Sequence, residues 1–144
     1  MEANIEQFFR DYVDAFNRSL EGPPDLATIR AAFASCFVAA GPGGVSCGQN
    51  DESFTEALEQ GYAFYRSIGT RRMIFRGVTL TEIDTDHRMA RVFYSSEYHG
   101  RDGELVTIDF DVTYLLQLNG ATPQIFAYVA GDEHALLRQH GLIA

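Results

Sequence analysis

Two aspartates, Asp109 and Asp111, stand two positions apart in a stretch where Thr107, Asp109, Asp111 and Thr113 alternate with Ile108, Phe110, Val112, Tyr114 and Leu116. Side chains two apart on a strand share a face. Buried side by side, two carboxylates push one pKa upward and supply a general acid. On the solvent face the same pair would instead oppose Arg72, Arg76 and Arg91 of neighbouring strands, each cross-strand pair contributing on the order of 0.2–1 kcal/mol. Glu97 and Asp51 are the other carboxylates considered for acid–base work. Tyr12, Tyr62, Tyr94 and Tyr114 all fall on apolar faces, and a buried phenol wants a partner for its hydroxyl. Several phenols around one hollow would make polar points in an apolar wall, the usual lining of a ligand site.

Other chemistries find little support. His87 and His99 lie at strand turns, and His134 and His140 are six apart on different faces of the last helix. No pair has the i, i+4 spacing of a helical metal site, and no Cys/His cluster exists, so no metal is expected. The run "GPGG" at 41–44 lacks the Lys and following helix of a phosphate-binding loop, and no nucleophile-elbow motif occurs. No cofactor is expected. A symmetric hairpin over "GPGG" pairs Val38 with Cys47, leaving Cys36 and Cys47 diagonal, a poor fit to disulfide geometry. Two buried thiols in a reducing cytoplasm are expected.

A chain of 144 residues and 16.0 kDa fits one domain, 1–144, large enough for a self-sufficient core. Hydrophobic content of 46% with 22% charged residues argues against disorder. A net charge of −9 and a pI near 4.7 disfavour nucleic acid and anionic membrane surfaces. No apolar run approaches a membrane span, and the acidic, amphipathic start "MEANIEQFF" lacks the features of a signal peptide.

The elements that would position these residues follow from periodicity. Ile5, Phe8, Phe9, Tyr12, Val13, Phe16 and Leu20 form one apolar helical stripe, with Asn4 as its N-cap and Gln7 reaching back. "EGPP" breaks the chain, and "DLATIRAAF" gives a second helix with Leu26, Ile29 and Phe33 inward. A hairpin turns on Gly41–Gly44. A third helix spans about 51–67, capped by Asn50 or Asp51 and stopped by Gly69, with Phe54, Leu58, Tyr62 (or Gly61), Tyr65 and Ile68 as its stripe. Strands at about 71–83, 88–99, 104–118 and 123–130 follow, joined by "DTDH" and "GRDG" turns and "NG". Asp132 caps a last helix that Gly141 ends, with Leu142 folding back on Leu137. Helices first and long strands after make an α+β fold whose sheet must curl around a cavity.

This order, with "YVDAFN" in the first helix and "IFAYVAGDE" in the last strand, resembles the nuclear transport factor 2-like superfamily, the cone fold of ketosteroid isomerases and SnoaL-like polyketide cyclases. The resemblance covers nearly the whole chain and implies a curved antiparallel sheet wrapped around three N-terminal helices, with a short C-terminal helix. For a steroid isomerase it implies a first-helix tyrosine, matched by Tyr12. It also implies a base in an Asp-Pro dipeptide and an acid on a late strand, where this chain has Gly41 (before Pro42) and Val112. That mechanism is therefore not expected. The match of Val112 to a pocket position turns Phe110 and Tyr114 inward with it, and Asp109 and Asp111 outward. The resulting expectation is a cytoplasmic protein binding a small, largely apolar molecule in a pocket of Tyr12, Phe16, Phe33, Tyr62, Tyr94, Phe110, Val112 and Tyr114. The alternatives are a cofactor-independent SnoaL-like isomerase, cyclase or dehydratase, or a protein-binding dimerisation module. The resemblance further implies a homodimer through the outer sheet face.

Overall fold

A computed structural model describes residues 2–120 and 122–144. The apolar stripe of the first segment becomes helix α1 (Glu2–Glu21), with Ile5, Phe9, Val13 and Leu20 buried. The helix already runs from Glu2, so Asn4 sits inside its first turn rather than at the cap, and Gln7 Nε2 donates to Asp11 Oδ1 at 2.8 Å. Near the other end, Asn17 Nδ2 donates to the Met73 carbonyl (2.9 Å) and its Oδ1 accepts from the Met73 N–H (2.8 Å). One amide thus takes the place of a neighbouring strand and fixes α1 to the sheet.

Asp25 caps a short helix α2 (Leu26–Ala31) by accepting from the Thr28 N–H. Phe33, expected on that helix, instead opens strand β1 (Phe33–Gly41) and is buried there. The reason is the sheet: the Ile125 N–H donates to the Ala32 carbonyl at 2.8 Å, ending the helix. Strand β2 (Gly44–Gln49) returns from the hairpin with Val38 opposite Cys47. Helix α3 (Glu52–Ser67) starts at the Asp51 cap. Arg66 near its end donates to the Ser19 carbonyl at 2.9 Å, satisfying a carbonyl left open at the end of α1. Arg30 and Asn50 lock α2 to the segment entering α3, with Arg30 bonding Asn50 Oδ1 and Thr55 Oγ1 while Asn50 Nδ2 bonds the Arg30 and Phe33 carbonyls.

Strands β3 (Thr70–Asp84), β4 (His87–His99), β5 (Leu105–Gln117) and β6 (Gln124–Ala130) complete a six-stranded sheet in the order β2-β1-β6-β5-β4-β3. Its ladders are antiparallel except β1–β6, which is parallel and sets Phe33 beside Ile125. Three hairpin reversals bring β6 back along β1 in the same direction, which the period-2 pattern of either strand cannot reveal. A bulge between Phe75 and Gly77 bends β3, as strands this long must bend to stay paired.

Two buried clusters result. The larger joins Ile5, Phe9, Val13, Ile29 and Phe33 to the concave residues Val92, Tyr94, Tyr114 and Leu116. The smaller holds Tyr98, Ile108, Leu137 and Leu142, where helix α4 (Glu133–Gln139) closes one end of the cone. Its C-terminus is a Schellman turn: Leu142 N–H donates to the Leu137 carbonyl (2.9 Å) and Gly141 N–H to Arg138 (3.0 Å). The described helices include none long and apolar enough to cross a membrane. Cys36 and Cys47 are free and exposed, contrary to the buried thiols expected, because β1 and β2 carry them on the convex face that no helix covers.

Candidate functional site

The register of β4 and β5 decides which side chains meet inside. Tyr94 pairs with Phe110, Val92 with Val112 and Ala90 with Tyr114, while Ser95 pairs with Asp109 and Phe93 with Asp111. Alternation sends the first set into the cone and the second outward. Outside, the acids are spoken for. Asp109 Oδ1 accepts from Ser95 Oγ at 2.6 Å, Ser95 Oγ accepts from Arg76 Nε at 2.9 Å, and Asp111 Oδ2 accepts from Arg91 Nη2 at 3.1 Å. Glu97 accepts from Arg72 Nε at 2.6 Å, and that bond holds its carboxyl below its ordinary range. Asp51 is occupied as the α3 cap, accepting from Ser53. None of these four acids offers its carboxylate to the interior.

Between helices and sheet lies a cavity of about 570 Å³. Tyr12, Phe16, Phe33, Tyr94, Phe110, Val112 and Tyr114 line it together, and Asp109 and Asp111 border it only along the strand. Tyr62 does not line it. Three residues before Tyr65 on α3, it turns against α1 instead, 5.4 Å from the Phe16 ring centre. Gly41 lies away from the cavity, exposed at the hairpin.

At the buried end, the Tyr94 and Tyr114 hydroxyls lie 2.7 Å apart, with the residues only 2% and 5% exposed. Phe9 packs on Tyr114 (4.8 Å) and Phe110 stacks on Tyr94 (5.2 Å). Burial pushes the Tyr94, Tyr114 and Tyr12 phenols above the ordinary tyrosine value, and the proximity of the others pushes Tyr12 and Tyr114 further. These hydroxyls stay protonated and can donate. The Tyr94–Tyr114 pair has two hydroxyl protons and one mutual bond, so one proton is left for something in the cavity.

At the exposed end sits a group that sequence reasoning missed. Glu133, in the first turn of α4, lines the cavity, and its Oε2 accepts from the Tyr65 hydroxyl at 2.7 Å. Burial, then the nearby carboxylate, raises the Tyr65 phenol, so it too remains a donor. Tyr98, Ser96 and Thr70 line the same cavity, and Thr70, opposite Tyr98 in the β3–β4 ladder, buries its Oγ1 without a hydrogen-bond partner among the described residues. The sequence signal for Glu133 was slight: it reads as an ordinary helix-start acid beside the Asp132 cap, and only the docking of α4 brings it to the cavity. Among the described residues no group of three or more His, Cys, Asp or Glu side chains could hold a metal.

A curved sheet closing on a helical layer, with an aromatic cavity between them, defines the cone class of α+β proteins. The chain belongs to the family described as NTF2-like protein (DUF6841), whose model matches residues 2–133. Among solved structures it is similar to an NTF2-like protein with a cystatin-like fold from Novosphingobium aromaticivorans (10% identity, TM-score 0.71, 99% of this chain and 88% of that one). It is also similar to the beta subunit of benzoate 1,2-dioxygenase from Burkholderia mallei (13%, 0.70, 94% and 92%). A third is a ketosteroid isomerase-like protein from Erwinia carotovora atroseptica (19%, 0.61, 90% and 93%). At these identities the likeness is one of fold. No curated protein matches the chain significantly.

Proposed function

We propose that the chain is a single NTF2-like domain that binds a small, largely apolar molecule in the cone. The observation that carries this reading is the cavity of about 570 Å³, walled by aromatic and aliphatic side chains, with hydroxyls contributed mainly by tyrosines. Ligand sites have this size and make-up. The test is calorimetric titration with 1-naphthol against wild type and Val112→Trp, which fills the hollow from β5. Binding by wild type and its loss in a folded Val112→Trp variant is the expected outcome; equal binding by both would place the ligand elsewhere.

One observation favours a second reading, acid–base catalysis without a cofactor. Glu133 and the Tyr94–Tyr114 pair line one cavity, so a carboxylate base and phenolic donors could act on one substrate. The likeness to a ketosteroid isomerase-like protein supports only the fold of such an enzyme. Its check is deuterium exchange at the carbon beside the carbonyl of 2-tetralone, catalysed by wild type and lost in Glu133→Gln.

The same reading holds that the protein is cytoplasmic and pairs with a second copy through the convex sheet face. Met89, Leu115, Ala127, Val38 and Cys47 run across five strands in register there, beside a second row holding Val129, Ala40 and Val45. Val129 and Val45 are 57% and 73% exposed, a large apolar area for a lone chain to leave to water. In such a dimer Cys47 reacts slowly with Ellman's reagent at high protein concentration and quickly on dilution or in Val129→Arg. Equally fast reaction at all concentrations counts against the pairing.

A further inference from the structure

The charge pattern of the cavity narrows what can occupy it. No arginine or histidine is among its described lining residues, and the chain contains no lysine. Among the described lining residues, Glu133 is the one carboxylate presented on the inner side, since Asp109 and Asp111 turn theirs to Ser95 and Arg91 on the convex face. An anionic ligand would therefore meet a negative group and no cation, in a chain of net charge −9. A divalent metal would find one carboxylate and no second ionic ligand.

A monovalent organic cation fits on three counts. Glu133 uses Oε2 for the Tyr65 hydroxyl, and Oε1 has no partner among the described residues. Phe16 and Tyr65 lie edge to face at 5.6 Å beside it, and Tyr98 is near enough for Glu133 to oppose its ionisation. Aromatic faces carry negative potential and attract ammonium groups. The apolar part of the wall, Phe33, Phe54, Leu58, Met73, Phe110 and Val112, takes a ring or chain.

We propose that the ligand is an amphipathic amine, its apolar body in the aromatic hollow and its ammonium held by Glu133 at the exposed end. This rests on the reading that the cavity binds small molecules. The test compares three probes with one ring system, 2-(1-naphthyl)ethylamine, 2-(1-naphthyl)ethanol and 1-naphthylacetate, by calorimetry at pH 7 against wild type and Glu133→Gln. Gln keeps an acceptor for Tyr65 and removes only the charge. The ammonium is expected to bind roughly tenfold tighter than the alcohol, the gain of a charge-assisted hydrogen bond, with the carboxylate weakest. In Glu133→Gln that preference for the amine over the alcohol disappears. If wild type binds alcohol and amine alike, or if the preference survives in Glu133→Gln, the amine assignment is wrong while the cavity reading stands. If none of the three binds wild type, the cavity reading and this inference fall together.

Discussion

The hydroxyl pair at the buried end of the cavity can be tested through stability. Tyr94→Phe removes one oxygen and leaves the Tyr114 hydroxyl, 5% exposed, without its 2.7 Å partner. A lost net hydrogen bond, plus part of the desolvation of the orphaned partner, costs about 1–2 kcal/mol. Unfolding entropy of about 2.1 cal/mol/K per residue gives this chain roughly 0.3 kcal/mol/K, so a loss of about 1.5 kcal/mol lowers Tm by about 5 °C. Tyr114→Phe produces the mirror effect. Removing both oxygens leaves no orphan, so Tyr94→Phe/Tyr114→Phe should be no less stable than the worse single variant. Thermal unfolding followed by circular dichroism, with urea unfolding as a second measure, closes the double-mutant cycle. If the double variant loses the sum of the two singles to within about 0.3 kcal/mol, the two hydroxyls are not coupled and the bond between them is refuted.

Burial raises all seven phenols (Tyr12, Tyr62, Tyr65, Tyr94, Tyr98, Tyr114 and Tyr128) above the free value. Their contribution to stability is complete below about pH 10 and is lost as pH rises past it. Absorbance at 295 nm should stay flat through pH 10 and then rise in one step with loss of helix signal; gradual ionisation near pH 10 would contradict the burial. Glu97 has the opposite sign: Arg72 lowers its pKa, so its contribution is present above about pH 4.3 and fades as pH falls. The Tm gap between wild type and Glu97→Gln should accordingly narrow between pH 6 and pH 3, and a gap independent of pH would show that the ion pair adds nothing to stability. Gly69 has φ +82° and lies where an added Cβ would come within 2.6 Å of the His99 carbonyl oxygen. Gly69→Ala should therefore lower stability by about 2–4 kcal/mol in urea titration, and a loss under 1 kcal/mol would show that the turn relaxes freely.

Most of the fold was readable because its patterns are long. The stripe from Ile5 to Leu20 and the alternation from Ile108 to Leu116 each repeat enough to set an element and its apolar face. Which face of that strand looks inward came from the match of Val112 to a pocket position, which turned Asp109 and Asp111 to the convex side, where the β4–β5 register has them. Where a feature depends on what docks from far away, the chain gives little sign. Tyr62 and Tyr65 belong to one stripe and both pack on Phe16, yet only the pitch of α3 against α1 decides that Tyr65 lines the cavity while Tyr62 is buried outside it. Cys36 and Cys47 looked like core residues because small thiols are usually buried, and the open convex face of β1 and β2 overrides that tendency. Glu133 needed the position of α4 to gain any meaning.

The parallel ladder between β1 and β6 also orders events during synthesis. Residues 33–41 leave the ribosome some ninety positions before residues 124–130. At 5–20 residues per second that is a wait of roughly 5–20 s. Over that interval β3, β4 and β5 can meander together by local turns, but β1 has only β2 beside it and an open edge of backbone donors and acceptors. The wall bearing Phe33 and the wall bearing Tyr94 and Tyr114 are thus built separately. The segment that joins them, and the helix carrying Glu133 that follows, are translated after both walls, so a nascent chain has no pocket until α4 has emerged.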